Sequence, residues 1–205
     1  MISSPLRPAV FLGRDGTIIE HVHYLSDLTQ VRIVSGGAES IRRLNNAGLT
    51  CVFVTNQSAI GRGMITKDDL NAIHAQMNRE LSQKGVGLDS IFFCPLVPTQ
   101  SDRSIVEHLE RKPGPGLLWH TARELGIDVS RSWMVGDQIS DVFAGRNAGC
   151  RRSILNDANS AQHDDGWTNS GTFHTVTDLC GAADLILRHD FSSRYCSEGV
   201  ERNLL

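Results

Sequence analysis

Short apolar runs recur along the chain, and most of them end in glycine or in polar residues. Runs of this length bounded by turn residues are typical of strands that are buried on both faces of a parallel sheet. They predict strands at 9–12, 51–54, 89–94, 132–136 and 152–155, with a further edge strand at 172–176.

Stretches with apolar side chains at helical spacing separate these runs. One of them carries an apolar stripe made of Leu70, Ile73, Met77 and Leu81. Thr66 precedes this stripe and Asp69 follows three residues later, as in an imperfect capping box. Helices are predicted at 38–47, 66–84, 116–125, 139–148 and 178–187. Strands that alternate with helices predict an α/β fold with a parallel sheet.

Three stretches lack both patterns. Residues 18–34 are polar and mixed and predict a short loop insertion, while 157–171 predict a long mobile loop. Residues 191–205 predict a poorly ordered tail. Residues 1–190, including the first two of these stretches, are expected to form one domain.

Side chains capable of chemistry lie at the ends of the predicted strands. Asp15 comes just after the first strand, Thr55 after the second and Asp137 at the end of the fourth. Ligands of open α/β sheets bind just beyond the carboxyl ends of the strands. Lys112 precedes a helix, and Pro113 fixes the backbone there. The structural alternatives are strand-end caps for the carboxylates, a turn hydroxyl for Thr55 and a solvated loop lysine for Lys112.

Composition excludes several classes of partner. The chain has 205 residues and a formal net charge of -3, which gives no reason to expect nucleic acid or an anionic membrane as partner. No apolar run is long enough to span a bilayer. Five widely spaced cysteines favour free thiols in a reducing compartment, and no signal peptide is predicted. We therefore expect a cytoplasmic protein and, by default, a monomer.

An acid, a hydroxyl, a lysine and a second acid follow one another along the chain as Asp15, Thr55, Lys112 and Asp137. This order of motifs resembles that of the haloacid dehalogenase (HAD) superfamily. The flanking residues are similar to one branch of it, the D-glycero-D-manno-heptose 1,7-bisphosphate phosphatases and their histidinol-phosphatase relatives. The resemblance runs from about Ala9 to about Ile154. It implies a Rossmann-like parallel sheet with helices on both faces and a short loop insertion instead of a cap domain. It also implies Mg²⁺-dependent hydrolysis of a small phosphorylated sugar.

The resemblance also implies a role for each of the four residues. Asp15 would be the general acid and base, Thr55 would bind a phosphate oxygen, and Lys112 would place a positive charge against the phosphate. Asp137 would hold Mg²⁺ together with the backbone carbonyl of Asp15. Asp141 lies one helical turn after Asp137, and whether it is functional or a surface acid stays open.

Substrate contacts carry over from the family's Thr-Asn-Gln-Ser-Gly-Ile-x-Arg-Gly loop, which is similar to residues 55–63 here. Asn56, Arg62 and Arg111 resemble residues that hold the sugar and the distal phosphate of the substrate. Arginine suits bidentate phosphate recognition. The alternative for the two arginines is a solvated position in a loop.

Position 13 departs from the family pattern. The first family motif is Asp-x-Asp-Gly-Thr, and its first aspartate is the nucleophile; Gly13 stands at that position here. Glycine can neither attack phosphorus nor ligate Mg²⁺. Loss of a covalent nucleophile typically costs roughly 10⁴- to 10⁶-fold in rate. The sequence therefore predicts impaired or lost activity and weakened Mg²⁺ binding.

Two further departures surround the predicted site. Many relatives carry a structural zinc, and the matching positions here are Cys94, Leu96, His108 and Glu110. Because these residues are not a dependable tetrahedral set, we expect no zinc. Gln138 stands where the family often has a basic residue. His21 and His23, in the insertion, are interpreted as surface histidines rather than a metal pair.

Three functions remain open from the sequence. The chain is a sugar-phosphate phosphatase by descent with impaired or lost activity, or a non-catalytic module that binds a phosphorylated ligand or another protein. The third possibility is a weak hydrolase in which water attacks phosphorus directly.

Overall fold

A six-stranded parallel sheet forms the centre of the molecule in the computed structural model, which describes residues 5–87, 90–157 and 173–198. Its strand order is β3-β2-β1-β4-β5-β6, and every neighbouring pair is parallel. The strands are β1 Ala9–Leu12, β2 Thr50–Asn56, β3 Ser90–Cys94, β4 Trp133–Gly136, β5 Arg152–Asn156 and β6 His174–Val176. All six predicted strands are present, with ends that differ by at most two residues.

Helices cover both faces of this sheet, as predicted. They are α1 Gly37–Asn46, α2 Ser58–Gly61, α3 Lys67–Gln83, α4 Gly116–Leu125, α5 Ile139–Ala148 and α6 Leu179–Glu198. Buried residues of α1, α3 and α6 share one apolar cluster, and those of α4 and α5 share another on the opposite face. The short helix α2 was not predicted. Helix α6 runs beyond the predicted end at 187, into the first part of the predicted tail.

The sequence of strand β1 is continuously apolar because the strand is buried on both faces. Val10 and Leu12 belong to the cluster with α1, α3 and α6, whereas Ala9 and Phe11 belong to the cluster with α4 and α5. Each of the four residues is fully buried. Burial of each large apolar side chain contributes about 1.5–3 kcal/mol. A strand covered on both faces therefore has no polar position.

The strand order reverses at β1, which brings the predicted site residues to one edge of the sheet. Leu12 is paired with Phe53 of β2 on one side and with Val135 of β4 on the other. The residues that follow these strands therefore meet where β1 and β4 lie side by side. Crevices at such switch points are the usual ligand sites of open α/β sheets.

The segment after β1 is a loop insertion packed on the α3 side of the sheet. Ile18 and Ile19 are fully buried, and Ile19 forms an antiparallel bridge with Ile33. A short 3-10 helix, Leu28–Gln30, lies within it. The predicted mobile loop at 157–171 falls almost entirely outside the described residues. No described helix has the length and apolar character needed to cross a membrane.

Candidate active site

A cavity of about 410 Å³ opens at the carboxyl ends of β1, β2 and β4. Its lining includes Gly13, Asp15, Thr55, Lys112 and Asp137. A second cavity of about 220 Å³ shares Asp15 with the first and extends along the loop that follows β2. The structure thus brings the three predicted catalytic residues and the predicted metal ligand Asp137 together around position 13.

Position 13 forms part of the cavity lining beside a buried hydroxyl group. A β-carbon built on Gly13 would lie 3.0 Å from the Thr17 Oγ1 atom and 3.7 Å from Asp141 Oδ2. Thr17 is fully buried, and its hydroxyl has no hydrogen-bond partner among the described residues. Buried polar groups are nearly always hydrogen-bonded. A side chain with an acceptor at position 13 would provide the partner that Thr17 lacks.

Asp137 approaches the turn after β1 very closely. Gly16 has φ +68°, and a β-carbon there would lie 2.3 Å from Asp137 Oδ2, so only glycine fits. Asp137 Oδ2 accepts a hydrogen bond from the Gln138 Nε2 amide at 3.0 Å and lies 3.9 Å from His21 Nδ1. Burial raises the pKa of the Asp137 carboxyl above its usual value, and the neighbouring Asp141 charge adds to the rise.

Lys112 is buried and held from two sides. Its Nζ atom donates to the Val54 carbonyl at 2.7 Å and forms an ion pair with Asp141 Oδ1. Asp141 is itself buried, so it is not the surface acid that the sequence left open, and its Oδ2 caps α5 through the Gln138 N–H. A lysine ammonium has three hydrogens. Two of them have partners among the described residues, and a third is available to an anion in the cavity.

Asp15 is held by an arginine that the sequence did not single out. Arg14 Nη2 donates to Asp15 Oδ1 at 2.9 Å, and Arg14 Nε lies 3.1 Å from Oδ2. Gln57 Nε2 donates to Asp15 Oδ2 at 3.1 Å and to Thr55 Oγ1 at 2.8 Å. Because the Thr55 hydroxyl oxygen accepts a hydrogen bond, its hydrogen remains available to a ligand oxygen.

The three predicted substrate contacts occupy different places. Asn56 lines both cavities, and its amide exchanges two hydrogen bonds with the Lys112 backbone, so it positions Lys112. Arg62 lies over the Tyr24 ring at 5.9 Å, and Tyr24 lines the second cavity. The Arg111 guanidinium donates to the Leu96 carbonyl at 2.6 Å, and Arg111 is absent from the lining of either cavity.

Four residues that were not predicted to contact a ligand line both cavities. They are Arg14, His21, His23 and Arg103. Arg103 lies in the loop between β3 and α4, where nothing in the local sequence separates it from an ordinary solvated arginine. The histidines come from the insertion, where one-residue spacing in a loop carries no periodic signal.

The positions that match the family's zinc ligands lie at the end of β3 and in the loop between β3 and α4. Cys94 ends β3 and is buried, and this burial raises the pKa of its thiol. Within the described ranges, no three His, Cys, Asp or Glu side chains are grouped so that they could hold a metal ion.

Comparisons with known proteins identify chains that are similar to this one. The HAD-hydrolase-like family model matches residues 109–182. A D-glycero-beta-D-manno-heptose-1,7-bisphosphate 7-phosphatase from Rhodopseudomonas palustris is 42% identical over 148 residues, which cover 72% of this chain and 82% of that protein. The corresponding protein from Yersinia pestis is 39% identical over 149 residues, with coverage of 72% and 79%.

A solved structure is similar over most of its length. It is the crystal structure of D,D-heptose 1,7-bisphosphate phosphatase from B. bronchiseptica complexed with magnesium and phosphate. The TM-score is 0.73 at 31% sequence identity, and the match covers 89% of this chain and 99% of that chain.

Proposed function

The chain belongs to the heptose 1,7-bisphosphate phosphatase family of the HAD-like hydrolases, and on this premise we propose that it is a sugar-phosphate phosphatase with impaired turnover. The impairment is assigned to Gly13, which stands at the position of the nucleophile. The observation that carries the proposal is the cavity around Gly13, where Asp15, Thr55 and Lys112 meet and position 13 has no side chain.

The residues present can bind a phosphate group and move a proton. Lys112 offers a point charge and one free hydrogen, and Thr55 offers its hydroxyl hydrogen. Asp15 would protonate the leaving sugar oxygen and later accept a proton from water. Without a carboxylate at position 13, no acyl phosphate forms, and water must attack phosphorus directly. We therefore expect binding to survive better than turnover.

Mg²⁺ is proposed as the cofactor, with reduced affinity. Protein sites for Mg²⁺ commonly use one or two carboxylates together with water and phosphate oxygens. Asp137 fits one such ligand, because its half-buried carboxylate lines the cavity and partial burial raises its pKa. The Asp15 backbone carbonyl would be the second protein ligand, and Gly13 contributes none. Bound Mg²⁺ would neutralise charge on the phosphate oxygens.

Turnover of the wild type, Gly13→Asp and Gly13→Asn with a heptose 1,7-bisphosphate, histidinol phosphate and Mg²⁺ tests this proposal. We expect Gly13→Asp to release phosphate at least about 10⁴-fold faster than the wild type. Gly13→Asn is the matched control, since its amide has nearly the same size and cannot form an acyl phosphate. It should stay at the rate of the wild type.

Two results would overturn parts of this account. If the wild type turns over as fast as Gly13→Asp, another group or water performs the attack and Gly13 causes no impairment. If Gly13→Asp is inert on every sugar phosphate, the pocket has lost catalysis for reasons beyond position 13.

A non-catalytic role as a phosphate-ligand-binding protein is the second candidate. It is favoured by the hydrogen that Lys112 keeps for an anion inside the cavity. Calorimetric titration of wild type with the same sugar phosphates distinguishes the two. Tight binding together with an inert Gly13→Asp variant supports the binding role, whereas rapid turnover by Gly13→Asp supports the phosphatase.

A further inference from the structure

The Asp15 carboxylate depends on the guanidinium of its sequence neighbour for its orientation. Arg14 is almost entirely buried, with 2% of its surface exposed. Its Nη2 and Nε atoms reach both oxygens of Asp15 in a forked arrangement. Such bidentate pairs are geometrically specific, so the place of the carboxylate follows the place of the guanidinium.

Arg14 is in turn fixed by two further side chains. Its Nη2 donates to Gln57 Oε1 at 3.1 Å, and its Nη1 lies 3.2 Å from His74 Nε2. His74 is on α3, sixty residues away in the sequence, and its ring meets Phe93 edge-on at a centroid distance of 6.3 Å. His74 belongs to neither cavity lining, and its side-chain hydrogen bond on the side of the site is to Arg14.

The contact between Arg14 and His74 determines which nitrogen of the imidazole carries the proton. Arginine only donates, so Nε2 of His74 accepts, and a neutral ring then carries its proton on Nδ1. Burial and the charge of Arg14 lower the pKa of His74 to about 4, and the facing Asp15 carboxylate opposes this only in part. The ring is therefore neutral near pH 7 and suited to accept from Arg14.

We propose that His74 is a positioning residue for Asp15 and that it acts through Arg14. The inference rests on the proposed function, in which Asp15 carries the proton between leaving group and water. Without an acceptor at position 74, Nη1 of Arg14 loses a buried partner, and the guanidinium shifts. The Asp15 carboxylate is then no longer oriented toward the leaving oxygen, whereas Lys112 and Thr55 still bind phosphate.

Kinetics in the Gly13→Asp background test this role with three further variants. His74→Leu removes the acceptor, His74→Gln keeps one in its amide oxygen, and His120→Leu removes a similar His–Arg contact at the surface of α4. We expect His74→Leu to lower kcat by about 10- to 100-fold, with KM within about threefold. His74→Gln should recover most of kcat, and His120→Leu should change neither parameter.

Nitrogen-15 NMR of the wild-type imidazoles gives a readout that does not depend on turnover. A His74 ring protonated on Nδ1 and bare on Nε2 at pH 7 supports the contact with Arg14, and the opposite tautomer overturns it. If Gly13→Asp is inert, the proposed function fails, and the tautomer still decides whether Arg14 is held by His74. If Gly13→Asp is active and a folded His74→Leu keeps its full kcat, the positioning role is wrong. If His74→Leu does not fold, the tautomer of His74 decides, because the proposal requires a bare Nε2.

Discussion

At the scale of single residues, the most informative feature of the site is the space between Gly13 and the side chain of Thr17. The Thr17 hydroxyl is buried without a partner among the described residues, and it lies where a side chain at position 13 would begin. That Asp15, Thr55, Lys112 and Asp137 lie at one cavity could be predicted, because each stands at the end of a strand or before a helix in a recognisable motif. The contact between Arg14 and His74 could not, because it joins residues sixty positions apart, and only the tertiary fold brings Arg103 to the cavities.

Thr17→Val tests whether the hydroxyl is unsatisfied. Removing a buried hydroxyl without a partner by a substitution of similar shape is expected to raise the free energy of unfolding by about 1 kcal/mol. In the Gly13→Asp background the same change should lower it, because the hydroxyl then has an acceptor. Urea denaturation measures both effects.

Thr121→Val is the control for this experiment. Thr121 is also fully buried, but its hydroxyl donates to the Leu117 carbonyl at 2.7 Å, so its loss should lower the free energy of unfolding by about 1 kcal/mol or less. A Thr17→Val variant that is destabilised as much as Thr121→Val would show that the Thr17 hydroxyl is satisfied.

At the scale of elements, the apolar pattern predicts the strands and all helices longer than one turn. The cap of α3 is predicted as well, since it depends on residues close in sequence, whereas the capping box that Gln138 and Asp141 form at the start of α5 was not predicted. Thr66 and Asp69 exchange hydrogen bonds at the start of α3, at 2.8 Å and 3.1 Å, as the capping-box pattern indicates. The C-terminal end of α6 and the existence of α2 were missed, because α6 continues past the apolar pattern and α2 has a single turn.

Thr66→Ala should destabilise the protein by about 1 kcal/mol, because the first turn of α3 loses its side-chain acceptor. Asn71→Ala, at an exposed position of the same helix, is the control and should leave the stability within about 0.5 kcal/mol. Thermal denaturation followed by circular dichroism compares the two. Equal effects would mean that the cap contributes nothing beyond helix propensity.

At the scale of the whole molecule, one topological feature organises both fold and site. The reversal of strand order at β1 places the ends of β1, β2 and β4 around one cavity. Helices on both faces shield the sheet from solvent. This architecture was predictable, since alternating strands and helices leave few arrangements open. The hydrogen-bond network behind the cavity could not be predicted. It links α3 to the turn after β1 through the contact between His74 and Arg14.

That network makes the stability of the molecule depend on pH. The pKa of His74 is about 4 in the folded protein and near 6.5 when unfolded, so the unfolded chain binds the extra proton first as pH falls. Stability is therefore lost between about pH 6.5 and pH 4, by about 2–3 kcal/mol at pH 4.5. The free energy of unfolding of His74→Gln should fall less over this range. Parallel curves for the two proteins would contradict the buried, neutral state of His74.

The central claim is that position 13 is where the nucleophile belongs, and trapping a phosphorylated protein tests it most directly. Wild type, Gly13→Asp and Gly13→Asn would be mixed with a heptose 1,7-bisphosphate and Mg²⁺, quenched in acid and analysed by peptide mass spectrometry. We predict one added phosphoryl group on the side chain introduced by Gly13→Asp, and none on the other two proteins. A phosphoryl group on Asp15 or elsewhere in the wild type would contradict the account and assign the attack to a different residue.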